Sequence, residues 1–182
     1  MNGYLTGVTK QFEYYKMLGD KTFEQLPDDA LFRQYNDDSN SIAIIVKHLS
    51  GNMLSRWTDF LTSDGEKEWR NRDSEFSDDI TTRKEMLEVW NKGWDCLFSA
   101  LKNLTPGDLD KIIYIRNQGQ TSADAINRQL AHYSYHIGQI VYIGKMFAGK
   151  WESLSIPKGK SADFNAEKFA KSKRLGHYTD EN

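Results

Sequence analysis

The chain has 182 residues, of which 38% are hydrophobic and 27% charged, and its formal net charge is −2. That length accommodates one domain with a sizeable core, and that apolar content excludes a disordered chain. The near-neutral balance, without a polybasic block or an RNA-binding motif, offers nucleic acid no electrostatic footprint.

No stretch reaches the run of ~20 apolar residues that a membrane-spanning helix needs. The opening MNGYLTGVTKQFEYYKMLGDKTF is amphipathic and lacks the basic and apolar regions of a signal peptide, which predicts a cytoplasmic protein. The single cysteine, Cys96 in VWNKGWDCLFSAL, excludes an internal disulfide and a CxxC motif, and its apolar neighbours predict a buried, inert thiol.

Pro27, Pro106 and Pro157 fall between periodic segments rather than inside them, the pattern of a helical protein. The first predicted helix runs from Tyr4 to Leu26, with Leu5, Val8, Phe12, Tyr15 and Phe23 at helical steps and Pro27 closing it. PDDALFRQYNDDSNS then reads as a loop that ends in the N-cap candidates Ser39, Asn40 and Ser41. A second helix is predicted over Ser41–Thr62. Its stripe is Ile42, Ile45, Val46, Leu49, Met53, Trp57 and Phe60, with His48 at the edge and Asn52 and Asp59 on nearly the same face as His48.

SDGEKEWRNRDSEFSDD follows as a polar connection. Its Arg70 and Arg72, interleaved with Trp69 and Phe76, suit either a solvated loop or an ordered lid that holds an anionic group beside an aromatic wall. The third helix, Thr81–Leu104, presents Leu87, Trp90, Trp94, Leu97, Phe98 and Leu101, and Pro106–Gly107 ends it. KIIYIRNQGQTS reads as a short strand or hairpin, and Ser122 with Asp124 starts the last long helix. A short helix is expected near Asn165–Lys171. The tail KRLGHYTDEN, with His177, is expected to be disordered or surface-bound and to ligate nothing.

In the stretch Ala125–Gly149, His132 and His136 stand four residues apart, over each other on one helical face, where both imidazoles can turn a nitrogen to one point. The stripe of Ile126, Leu130, Tyr133, Ile137, Ile140 and Val141 leaves them flanking the core, as His48 flanks its own stripe. Two helices packed through those stripes would bring the three histidines to one groove. The architecture that follows is an all-α four-helix bundle with a long crossover connection and a short hairpin before the last long helix, as one domain over residues 1–182.

His48 together with HYSYHIGQIVYIGK resembles the DinB-like superfamily of metal-binding four-helix bundles, and NSIAIIVKHLSGNMLSRWTDFLTSDGEKEWRNRDSEF looks like an uncharacterised branch of it. The resemblance spans nearly the whole chain and includes the motif His132, His136, Gly138, Gln139, Ile140. It implies that His48, His132 and His136 hold a divalent metal, zinc or nickel, with a position open to water or substrate. Characterised relatives include transferases and isomerases that use bacillithiol, mycothiol or glutathione. The leading expectation by similarity is therefore a metal-dependent S-transferase that activates a low-molecular-weight thiol, with Arg70 and Arg72 gripping substrate carboxylates. Alternatives are a metal-dependent hydrolase, for which Asp59 is the nearest carboxylate base, a non-catalytic metal-binding or stress protein, and a plain structural bundle. The resemblance, together with 5 Trp, 9 Tyr and 9 Phe, also implies a homodimer, because one four-helix core cannot bury so many aromatics.

Overall fold

Four of the helices are long: α1 (Gly3–Glu24), α3 (Ile42–Trp57), α4 (Arg83–Lys102) and α5 (Ser122–Phe147). A short α2 (Asp28–Phe32), the hairpin of β1 (Ile112–Ile115) and β2 (Gln118–Thr121), and a terminal α6 (Ser161–Phe169) complete the order. The computed structural model describes residues 3–180. Helix α3 packs against α4 and α5, and α1 against α5 and α4, so α1 and α3 occupy opposite corners of the bundle. One connected core runs through all four long helices, with Phe12, Met53, Trp90, Trp94, Tyr133 and Ile137 at its centre.

Helices α3, α4 and α5 start where hydroxyl side chains satisfy their first amides. Ser41 accepts from the Ile44 amide at 3.2 Å, Thr82 from Glu85 at 3.2 Å and Thr121 from Asp124 at 3.1 Å. Helix α5 starts at Ser122, as expected, and Thr121 is its cap. Residues Asp28–Phe32, expected as loop, form a turn of helix that buries Ala30 and Leu31.

A larger departure lies in α3. It ends at Trp57 rather than Thr62, because Thr58 is extended and Asp59 is left-handed at φ 50°. Phe60 still reaches the core, stacked on Trp57 at 5.0 Å, but from a turn. Helix α3 is also buried well beyond its stripe, at Ser50, Asn52, Ser55 and Arg56 as well. The connection 62–82 supplies partners for two of them: Ser55 donates to the Gly65 carbonyl at 2.7 Å, and Arg56 to the same carbonyl and to Glu66. Ser50 donates to the Val89 carbonyl of α4, and Asn52 accepts from the Tyr133 hydroxyl of α5.

Where α3 and α4 cross, Gly93 permits the close approach. A Cβ there would lie 2.9 Å from Ser50 Cα and 3.1 Å from Met53 Sδ, so Gly93→Ala must push two backbones apart. Such overpacking costs about 1–3 kcal/mol, against ~1 kcal/mol gained in helix propensity. The expected result is a melting temperature lower by a few degrees, and an unchanged or higher value would refute the close crossing.

The hairpin pairs Ile115 with Gln118 and Ile112 with Thr121, and its two-residue turn is Arg116–Asn117 at φ 56° and 61°. Asp64 secures that turn by accepting from both amides at 2.8 Å, and the Gly65 amide donates to the Tyr114 carbonyl at 2.8 Å. Connection and hairpin are therefore one joined surface. The tail is laid against α1, with Tyr178 packed on Tyr14 at 5.8 Å and Lys10 paired with Asp180. No helix among the described residues is long and apolar enough to cross a membrane.

Candidate metal centre

His48 from the first half of α3 and His132 and His136 from the middle of α5 meet across the contact between those helices. His136 Nε2 lies 3.0 Å and His48 Nε2 3.4 Å from His132 Nε2. One nitrogen from each ring lies within 4.8 Å of the others. The flanking positions of the two stripes thus converge, because helix packing turns two edges into one groove.

The tautomers follow from the partners of the other nitrogens. His48 Nδ1 faces Glu75 Oε2 at 2.9 Å and His136 Nδ1 faces Gln139 Oε1 at 2.7 Å. Both acceptors take a proton from Nδ1, and in the neutral form of each ring that leaves Nε2 bare and aimed at His132. The two bare nitrogens face His132 Nε2, and a carboxylate or amide oxygen behind a ring, as at His48 and His136, is the usual support for a metal ligand. The donor set fits a divalent ion that prefers imidazole.

Electrostatics favours the neutral form of His132 and His136, the form that metal binding needs. Burial, reinforced by the neighbouring His136 and His48, pushes the His132 pKa down to about 3. Burial also lowers that of His136. Burial alone would raise the Glu75 carboxyl, but the hydrogen bonds from His48 and Arg70 outweigh it and hold the group below its ordinary range.

Chelator-treated protein should show the consequence for His132. Above pH 6.5 neither folded nor unfolded chain protonates the ring. Below it, the unfolded chain takes a proton that the folded one refuses down to about pH 3. Stability should therefore fall as pH drops through that window, and His132→Ala should flatten the slope in a series of thermal melts. Equal slopes in wild type and variant would refute the assignment.

Glu75 is the anchor behind the centre. It comes from a 3-10 turn at Asp73–Phe76 and is held on both oxygens by Arg70, Nε to Oε1 at 2.7 Å and Nη2 to Oε2 at 2.9 Å. A Cβ at position 51 would lie 2.3 Å from Glu75 Oε1, so Gly51 of α3 provides the carboxylate's space. Phe76 stacks on the His48 ring at 4.9 Å, with the Arg72 guanidinium 5.2 Å from the Phe76 centroid.

A cavity of about 380 Å³ opens on the histidines and is lined by Arg56, Arg70, Arg72, Arg116 and Arg128 together with Asn52, Phe76, Gln129 and Tyr135. Both predicted arginines reach it. Arg70 directs its donors at Glu75 and Glu66, whereas Arg72 lies on the rim beside Phe76. The ordered connection with Phe76 as its aromatic wall is present, but the exposed Trp69 takes no part. Asp59 sits elsewhere, in a separate depression with Cys96, which is half-buried rather than buried. His177 contacts Thr179 in the tail, away from the three-histidine cluster.

Residues 1–160 match the family described as protein of unknown function, DUF1572. The chain belongs to that family. Comparison with curated proteins and with solved structures finds no match.

Sequence reasoning missed Glu75, Arg116, Arg128 and Gln129. For Arg128 a signal exists: it precedes His132 by four residues and so shares the face of the histidine pair. Glu75 has none, since only the folded connection brings it to His48.

Proposed function

We propose that this DUF1572 protein is a DinB-like, metal-dependent S-transferase in which His48, His132 and His136 hold a zinc or nickel ion. The observation that carries the proposal is the set of three convergent Nε2 atoms, two of them on rings whose Nδ1 is bound from behind. Three neutral imidazoles would hold the ion with its charge uncompensated and a position open, and an ion so held would supply Lewis acidity that favours a thiol's thiolate form. Glu75 and Gln139 keep two of the rings oriented, and Phe76 shields one side of His48. Thiols of the bacillithiol or glutathione type are the substrates by family resemblance. No Asp or Glu lines the cavity among the described residues, which disfavours hydrolysis through a carboxylate base.

The test is metal analysis of tag-free protein, followed by a screen of the loaded protein with several thiols and a chromogenic electrophile. Transfer that appears with the metal and disappears with chelator is the expected outcome. A stoichiometric metal without transfer for any thiol would leave a non-catalytic metal-binding bundle, and no metal would leave a structural one. A homodimer belongs to the same reading, with the exposed Tyr35, Tyr142 and Met146 around one groove as its contact. A monomeric mass by light scattering at micromolar concentration would refute it.

A further inference from the structure

The cavity over the three histidines carries five of the chain's eight arginines and none of its lysines. Two carboxylates lie behind this set. Glu66 Oε2 takes Arg56 at 3.0 Å, Arg70 at 3.3 Å and Arg116 at 3.2 Å, and Glu75 takes Arg70 on both oxygens. Three positive charges remain in surplus, in a protein whose net charge is negative. The Arg128 side chain has no hydrogen bond or ion pair among the described residues, and the Arg72 side chain has only its contact with Phe76. Such a concentration of fixed positive charge in a concave site costs stability through self-repulsion, so it calls for an anionic occupant.

Arg116 points the same way. It occupies a left-handed turn position, φ 56°, where glycine or asparagine is favoured and a long side chain is strained. Asp64 accepts from the Arg116 and Asn117 amides and so fastens this turn, and the side chain reaches the cavity. Strain held in place beside a candidate site is what positioning a functional side chain requires. Gln129, 3% exposed on the same wall, has an Oε1 without a partner among the described residues, which an N–H or O–H of a ligand would satisfy.

We infer that Arg72, Arg116 and Arg128 form a carboxylate-binding subsite that holds a small acidic substrate, bearing two or more carboxylates, over the three-histidine centre. The guanidinium fork matches a planar carboxylate through two parallel hydrogen bonds, whereas an ammonium offers only a point charge. The exclusive use of arginine accords with that geometry. Arg56 and Arg70, buried against Glu66 and Glu75, are positioning residues that keep the floor of the cavity rigid. Arg116, by contrast, touches Glu66 through Nη2 with its side chain 62% exposed. The inference rests on the histidine centre being the place of reaction, and the test is arranged so that each can fail alone.

Isothermal titration of the full chain, metal-free and zinc-loaded, with glutarate, the neutral glutaramide and inorganic phosphate decides it. Glutarate is expected to bind both forms, at least about tenfold more tightly than glutaramide, and the double variant Arg72→Gln/Arg128→Gln should weaken it by about tenfold or more. Lys92→Gln, a charge removed from the exposed face of α4, should change nothing. Arg116→Asn should weaken glutarate while leaving the melting temperature equal or higher, since asparagine suits the turn; a merely structural Arg116 would give a lower one. Failure of glutarate to bind metal-free wild type, equal binding by the double variant, or binding of phosphate in preference to glutarate would overturn the inference. Loss of zinc binding alone would leave the metal-free titration intact and count only against the metal reading.

Discussion

His132→Ala should abolish thiol transfer and weaken zinc binding by more than about 100-fold while leaving the fold in place. Loss of a group behind a metal ligand typically costs 10–100-fold in affinity, and loss of a ligand costs more. The fold should survive because the core face of α5 consists of Ile126, Tyr133, Ile137 and Ile140, all buried, whereas His132 is only half-buried beside them. Alanine is also the better helix former. In the metal-free state the variant loses a ring that burial disfavours charging, so its melting temperature near neutral pH should match that of wild type. A metal that merely props up the bundle would act differently, since its binding energy would be folding energy and chelation alone would lower the melting temperature by many degrees. Zinc titration, thermal melts with and without chelator, and the transfer assay on both proteins separate these cases. Retained transfer in the variant would refute the centre.

Glu75→Ala should damage both stability and the centre. The Arg70 and Glu75 side chains are 2% and 7% exposed, so removing the carboxylate leaves a buried guanidinium without its bidentate partner. Breaking one side of a buried pair costs about 3–5 kcal/mol, which in a chain of this length corresponds to a fall of about 10 °C. His48 also loses the acceptor on its Nδ1, so zinc affinity should drop about 10–100-fold. Glu75→Gln keeps the shape and one acceptor and should recover part of both losses. The melt and the zinc titration must move together. A variant with unchanged affinity would mean that Glu75 is a strut for Arg70 and not a support for His48.

Periodicity and punctuation alone determined four long helices, the hairpin between Lys111 and Ser122, and the edge positions of His48, His132 and His136. These features arise from interactions within a few residues: the 3.6-residue repeat, a hydroxyl at a helix start, a proline after its end. The same locality explains the limits. Helix α3 ends at Trp57 because Asp59 turns left-handed, and the apolar Phe60 continued the helical pattern past that point. Ser50, Ser55 and Arg56 lie off the apolar stripe, yet α4 buries Ser50, which donates to the Val89 carbonyl, and the connection 62–82 buries Ser55 and Arg56. Residues Asp28–Phe32 were too short a segment for a period to show. Only the tertiary structure could decide which groups surround the histidines, since Glu75 lies 27 positions from His48 and Arg116 is brought to the cavity by a hairpin that Asp64 fastens. A helix face is written into sequence spacing, but the pairing of a carboxylate with a ring across two connections is set by how the elements pack.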